Sequence, residues 1–94
     1  MALRKKWFSS RVVSTEGFSV DIRGRNDVLY VEGDLRVYVY AEMSIATSTW
    51  ALYPNDMRIG SRYGPLLNDE KLRSLILERV QSVFDFHGVK TTTS

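Results

Sequence analysis

The sequence contains no cysteine, two prolines and a single histidine. Without cysteine, the chain can form neither a disulfide framework nor a thiolate that acts as a nucleophile or a metal ligand. This composition fits a reducing compartment, and we predict a cytoplasmic protein. The single histidine, His87, stands at the end of a predicted helix. Because an imidazole there can hydrogen-bond the last carbonyl groups of the helix, we expect a structural role for it.

Long hydrophobic runs are also missing from the sequence. No stretch approaches the roughly 20 apolar residues that a membrane-spanning helix needs. The basic start, Met1–Lys6, is followed by Trp7–Arg11, which does not form the apolar stretch of about 7–15 residues found in signal peptides. The sequence therefore predicts neither export nor insertion into a membrane.

The residues that usually carry catalysis are scarce. One histidine and no cysteine leave few ways to bring a nucleophile, a base and an orienting group together. The acidic residues are scattered without the spacing of calcium or zinc sites, and the stretch Gly60–Gly64 lacks the strand and helix that flank a phosphate-binding loop. We predict a protein that is not an enzyme, with no catalytic residues, no cofactor and no metal.

The length and composition predict one small domain. The chain has 94 residues, of which 44% are hydrophobic and 12% aromatic. This size is below the usual range for two domains, and the apolar content is sufficient for one core. We assign residues 1–94 to a single domain, with partial disorder expected within residues 1–16 and a polar tail at residues 91–94.

The first two-thirds of the chain predicts about four antiparallel strands, because β-branched and aromatic residues alternate with polar ones between turn signals. The strands are expected at Phe18–Ile22, Val28–Glu32, Leu35–Met43 and within Ser48–Tyr53. Pro54 is expected to end the last strand, since proline cannot donate a ladder hydrogen bond. An irregular loop should follow as far as Leu67.

The last third of the chain has the period of an amphipathic helix. We predict Asn68 as the N-cap, a helix over Asp69–His87, and Gly88 as the stop signal. Lys90 and its neighbour Val89 either add a short strand or trail off. The expected apolar stripe consists of Leu72, Leu75, Ile76, Val80 and Val83, flanked by Leu77, Phe84 and Phe86. The fold class is therefore α+β, an antiparallel sheet packed against one C-terminal helix.

Net charge gives little indication of a partner. A charge of +2 and a pI near 9.1 result from 13 basic and 11 acidic residues. The local cluster Arg4–Lys6 is typical of a solubilising terminus, and a nucleic-acid arm is the alternative.

One face of the third predicted strand is the best candidate for binding. Tyr38 and Tyr40, with Arg36 in line, should lie on the side of the sheet opposite the helix. Tyrosine and arginine are common at interface hot spots, so this face is a candidate binding surface. Alternatively, the tyrosines form stabilising cross-strand pairs or are covered by Leu3, Trp7 and Phe8.

Several short motifs together resemble a known family. They are Val31–Leu35 with the sequence V-E-G-D-L, Ile45 followed by Trp50 and Pro54, Asn68–Lys71, and His87–Val89. In this order the chain resembles the immunity protein 74 family of bacterial polymorphic toxin systems, over roughly Phe18–Lys90.

This resemblance implies a protein that binds a cognate toxin and covers its active surface in the cytoplasm of the producing cell. From the expected exposure, and not from a family motif, the candidate partner-binding residues are Arg36, Tyr38, Tyr40, Arg58, Arg62 and Tyr63. Two alternatives remain open. One is a small nucleic-acid-binding module that uses the basic N-terminus and the aromatics of the sheet, and the other is a self-associating scaffold domain that forms a homodimer.

Overall fold

The computed structural model describes residues 2–5, 11–24 and 26–94. Among these, seven strands and one helix follow each other along the chain. They are β1 (Leu3–Lys5), β2 (Arg11–Ser14), β3 (Phe18–Arg23), β4 (Asp27–Glu32), β5 (Leu35–Ser44), β6 (Thr49–Ile59), α1 (Glu70–Phe86) and β7 (Lys90–Thr93).

All seven strands belong to one curled sheet, in the same order as in the sequence. Strands β1 to β6 pair antiparallel with their neighbours, whereas β7 pairs parallel with β6, because helix α1 carries the chain back between them. The predicted α+β class with a C-terminal helix on the sheet is confirmed. The prediction of about four strands is wrong, since three further strands are present.

The three additional strands lie in the two end segments of the chain. Strands β1 and β2 occupy the segment where partial disorder was expected, and Val12 of β2 is fully buried. Strand β7 forms from the predicted polar tail, where β-branched threonines suit a strand and Ser94 N donates to Leu52 O at 2.9 Å. Trp7 and Phe8 lie outside the described residues.

Strand β6 continues through Pro54 instead of ending there. Ala41 pairs with Leu52, but Val39 pairs with Met57, so the residues between Leu52 and Met57 form a bulge opposite Tyr40. Pro54 lies in this bulge, where no ladder hydrogen bond is required of it. The irregular segment therefore begins only after Ile59.

Helix α1 begins one residue later than predicted. The N-cap is Asp69 and not Asn68, since Leu72 N donates to Asp69 Oδ1 at 3.1 Å. At the other end His87 is the C-cap, and Gly88 follows with a φ of 74°, as the predicted stop signal requires.

The buried face of the helix is narrower than the predicted stripe. Its fully buried members are Ile76, Val80, Val83 and Phe84. Leu75 is 40% exposed and Phe86 is 47% exposed, so the placement of Leu75 in the stripe was wrong. The buried residues pack on the side of the sheet that carries Phe18, Val20, Val37, Val39 and Leu52. Within the described residues, no helix has the length and apolar composition that crossing a membrane requires.

A polar cluster fastens the helix to strands β3 and β4. Arg79 Nη1 donates to Tyr30 Oη at 2.6 Å and to Glu32 Oε1 at 3.1 Å, while Tyr30 Oη donates to the same Glu32 oxygen at 2.8 Å. The Arg79 guanidinium also lies 4.5 Å from the centre of the Phe18 ring, which stacks on Tyr30. Glu32 therefore joins the helix to the sheet, in addition to standing next to a turn.

Candidate functional site

The side of the sheet that faces away from the helix, here called the open face, carries the predicted binding residues. Side chains of a strand alternate between the two faces, so Tyr38 and Arg58 share this face with their cross-strand partner Leu29. Leu29 is only 3% exposed, although helix α1 packs on the other side of the sheet. The open face is therefore buried at Leu29, near its centre.

A cleft of about 380 Å³ opens on this face between β5, the bulge of β6 and the loop that follows β6. Five of the six predicted binding residues line it: Tyr38, Tyr40, Arg58, Arg62 and Tyr63. The sixth, Arg36, lies on the same face of β5, two residues from Tyr38, but outside the cleft. The Arg36 side chain is exposed to solvent.

The loop after β6, residues 60–67, forms one wall of the cleft and is held by backbone hydrogen bonds. Ile59 N donates to Pro65 O at 2.9 Å, and Gly64 N donates to Ser61 O at 3.0 Å. Arg58 Nη1 adds a hydrogen bond to Gly64 O at 3.2 Å. A side chain at Gly64 would collide with the carbonyl oxygen of Ile59, so this turn depends on glycine.

An ion pair connects the loop with the opposite side of the cleft. Arg62 Nε lies 3.2 Å from Asp27 Oδ1, at the start of β4. Because β5 lies between β4 and β6 in the sheet, this contact carries the loop across Tyr38 and Tyr40. The loop is thereby fixed in its position over the open face.

A second ion pair lies in the bulge. Arg58 Nε donates to Asp56 Oδ1 at 3.0 Å. With the Arg62–Asp27 pair, the cleft contains two cations and two anions, and its own formal charge is zero. The lining thus combines tyrosines and arginines, two residue types enriched at protein interfaces, with two aspartates that pair with the arginines.

The tyrosines of the cleft have different environments. The rings of Tyr40 and Tyr53 contact edge to face, with centres 5.2 Å apart, and Tyr40 Oη donates to Glu42 Oε1 at 3.0 Å. This hydrogen bond to a carboxylate raises the pKa of Tyr40, because it favours the protonated phenol. Tyr63, by contrast, is 89% exposed at the tip of the loop. The contacts of Tyr40 therefore give it a structural role in the sheet. Tyr63 is too exposed for burial in the core to explain why an aromatic residue stands at this position.

Of the three residues considered as an alternative cover for the tyrosines, Leu3 does not lie over them, and Trp7 and Phe8 lie outside the described residues. Leu3 packs against the core on the helix side of the sheet. Trp50 also lies on that side, with its ring centre 5.3 Å from that of Phe84. Tyr53 lies beside Tyr40 on the open face, since the two rings are in contact.

Arg4 and His87, which were also considered in the sequence, lie apart from the cleft. Arg4 is exposed on β1, while the side chain of Lys5 and all of Lys6 lie outside the described residues. His87 caps the helix and its ring contacts that of Phe86, 5.6 Å between centres. Among residues 2–5, 11–24 and 26–94, no group of three or more histidines, aspartates or glutamates is arranged to hold a metal ion.

Sequence reasoning missed both carboxylates of the cleft. Asp27 and Asp56 stand in stretches that read as turns, where acidic residues are common for local reasons. The spacing of two residues between Asp56 and Arg58 places both side chains on one face of a strand, but this signal was usable only if β6 was known to continue past Pro54. Asp27 and Arg62 are far apart in the sequence, so only the folded sheet brings them together.

Comparisons with models of known protein families, with curated proteins and with solved structures give no match to this chain.

Proposed function

We propose that this protein acts by binding, and that its open face docks on a partner protein. In the form that the sequence resemblance suggests, it is an immunity-type protein that covers the active surface of a cognate bacterial toxin domain in the cytoplasm. The observation that supports this proposal is the cleft, where Tyr38, Tyr40 and Tyr63 gather with Arg58 and Arg62. Tyrosine and arginine are among the residue types that contribute most to protein interfaces.

The loop of residues 60–67 is held in one conformation, which favours tight binding. Backbone hydrogen bonds and the Arg62–Asp27 ion pair hold the loop, so little conformational entropy remains to be lost when a partner binds. Tyr63 is presented on this ordered loop with almost all of its side chain exposed. A rigid aromatic side chain of this kind can anchor the protein in a pocket of a partner.

Coexpression with the proteins encoded beside its gene tests this function. One such protein should arrest growth when expressed alone, and this chain should restore growth and bind it directly. Tyr63→Ala should weaken that binding by about thirtyfold, as expected for an interface hot spot of about 2 kcal/mol. Phe86→Ala is the matched control, because Phe86 is also an exposed aromatic residue but lies on helix α1. Loss of protection with Phe86→Ala but not with Tyr63→Ala would place the interface on the helix side instead.

Binding of single-stranded nucleic acid is a second candidate function. The observation that favours it is the presence of several arginines beside the tyrosines of the open face, since such faces can stack bases and contact phosphates. In that case affinity should fall steeply with rising salt concentration, whereas a protein interface anchored by aromatic residues should respond only modestly. A titration at several salt concentrations distinguishes the two functions.

A further inference from the structure

The open face carries more positive than negative side chains. The strand register and the contacts of the cleft place six arginines on it: Arg4, Arg11, Arg23, Arg36, Arg58 and Arg62. The carboxylates of the same face are Asp21, Asp27, Glu42 and Asp56. Helix α1 with its N-cap instead carries four carboxylates, Asp69, Glu70, Glu78 and Asp85, against Lys71, Arg73 and Arg79. Positive charge is thus concentrated on the side that also holds the cleft.

Two of these arginines are well placed to bind further carboxylates. Arg36 is exposed and forms no ion pair with any described residue. Arg62 approaches Asp27 through Nε, and 50% of its side chain is exposed. Because a guanidinium group presents five N–H donors in a planar fork, each of these side chains can bind a carboxylate with two parallel hydrogen bonds.

The carboxylates of the open face favour a protein over a nucleic acid as the source of negative charge. Asp21 pairs with Arg23, Asp56 with Arg58, and Asp27 with Arg62. A nucleic-acid backbone carries a charge at every nucleotide, so phosphates that follow the arginines would also approach these aspartates. A protein segment can instead place separate carboxylates against Arg36 and Arg62 and apolar or aromatic groups against the tyrosines.

We propose that the open face recognises an acidic protein segment, in which separate carboxylates bind Arg36 and Arg62 and an aromatic or apolar side chain enters the cleft. This inference rests on the proposed binding function and names the chemistry of its partner.

The test uses the full chain, labelled with ¹⁵N, and three probes observed by nuclear magnetic resonance. The probes are a blocked peptide of alternating glutamate and tyrosine, its counterpart with glutamine in place of glutamate, and a short oligothymidylate. The glutamate peptide should shift the Nε–Hε signals of Arg36 and Arg62 and should bind more tightly than both other probes. Arg36→Gln and Arg62→Gln should each weaken the binding by about tenfold, since each variant removes the charge and the paired donors that bind one carboxylate of the peptide.

Arg73→Gln, on the helix, is the control variant and should leave the affinity unchanged. Arg36→Gln carries particular weight, because Arg36 supports no ion pair in the described fold and its loss leaves the loop intact. Three results would each refute the proposal that the open face recognises an acidic segment. They are equal affinity for the glutamine peptide, tighter binding of the oligothymidylate, and no shift with any probe. If the shifts still map to the open face, the binding function stands and only the partner chemistry is wrong, whereas shifts on helix α1 would overturn both.

Discussion

Arg79 Nη1 donates a 2.6 Å hydrogen bond to Tyr30 Oη, which joins the middle of the helix to the middle of the sheet. Both groups also bind Glu32, so the three side chains satisfy one another at the edge of the apolar core. Because a buried hydroxyl without a partner costs free energy, this arrangement also selects one position of the helix along the sheet. The open face on the other side of the same strands depends on the sheet that this contact stabilises.

Removal of the Tyr30 hydroxyl should destabilise the fold. Tyr30→Phe keeps the ring stacked on Phe18 but deletes the acceptor of Arg79 and the donor to Glu32. We expect the free energy of unfolding in urea to fall by about 1–2 kcal/mol. Tyr40→Phe is the control, because its hydrogen bond to Glu42 is exposed and its loss should change stability by less than about 0.5 kcal/mol. Equal effects of the two variants would contradict the role of the Arg79 contact.

The fold should lose stability at alkaline pH. Burial, together with the hydrogen bond to Glu32, raises the pKa of Tyr30 to about 12. The folded state then holds this proton more tightly than the unfolded state, whose phenol has a pKa near 10. The contribution of up to about 2 kcal/mol is present below pH 10 and is lost as the pH rises towards 12. Unfolding curves measured across this range should show a smaller loss in Tyr30→Phe, and an identical loss in both proteins would refute the assignment.

A charge in the buried face of the helix should prevent folding. Val80 is fully buried among the apolar residues of the core, so Val80→Asp would bury a carboxylate without a partner. We expect loss of the native circular dichroism and of cooperative thermal unfolding. Leu75→Asp, on the exposed side of the same helix, should stay folded. A folded Val80→Asp variant would show that the helix packs with a different face.

The loop over the cleft should be sensitive to a single methyl group. Gly64→Ala would bring a Cβ atom against the Ile59 carbonyl oxygen, so the turn must move away from β6. We expect a loss of about 1–3 kcal/mol and shifted Nε–Hε resonances of Arg58 and Arg62. Ser61→Ala, at an exposed position of the same loop, should change neither property appreciably. Unchanged resonances in Gly64→Ala would mean that the loop accommodates the side chain without moving.

The elements with a strong local pattern could be predicted, and those with a weak pattern could not. The hairpin of β3 and β4, the alternation of β5 and the helix with Gly88 as its stop follow from periodicity and turn residues. Strands β1, β2 and β7 have three or four residues each, too few to show a period of two. They form because the neighbouring strands offer unpaired backbone groups.

The candidate site was predictable in its residue types and its face, but not in its shape. Alternation along β5 was enough to place Tyr38 and Tyr40 opposite the core. The cleft itself exists because Pro54 is taken up in a bulge and because the loop returns along β6 through hydrogen bonds such as that from Ile59 to Pro65. Neither feature has a pattern of its own in the sequence.

By itself, the sequence determined the α+β class, the apolar face of the helix and the face on which the tyrosines stand, because these depend on periods of two and 3.6 residues within short segments. Only the tertiary structure decided the seven-stranded sheet, the Arg79–Tyr30 contact and the Arg62–Asp27 ion pair. Each of these joins residues that are distant in the chain. Their proximity depends on the register of the whole sheet, which local propensity does not encode.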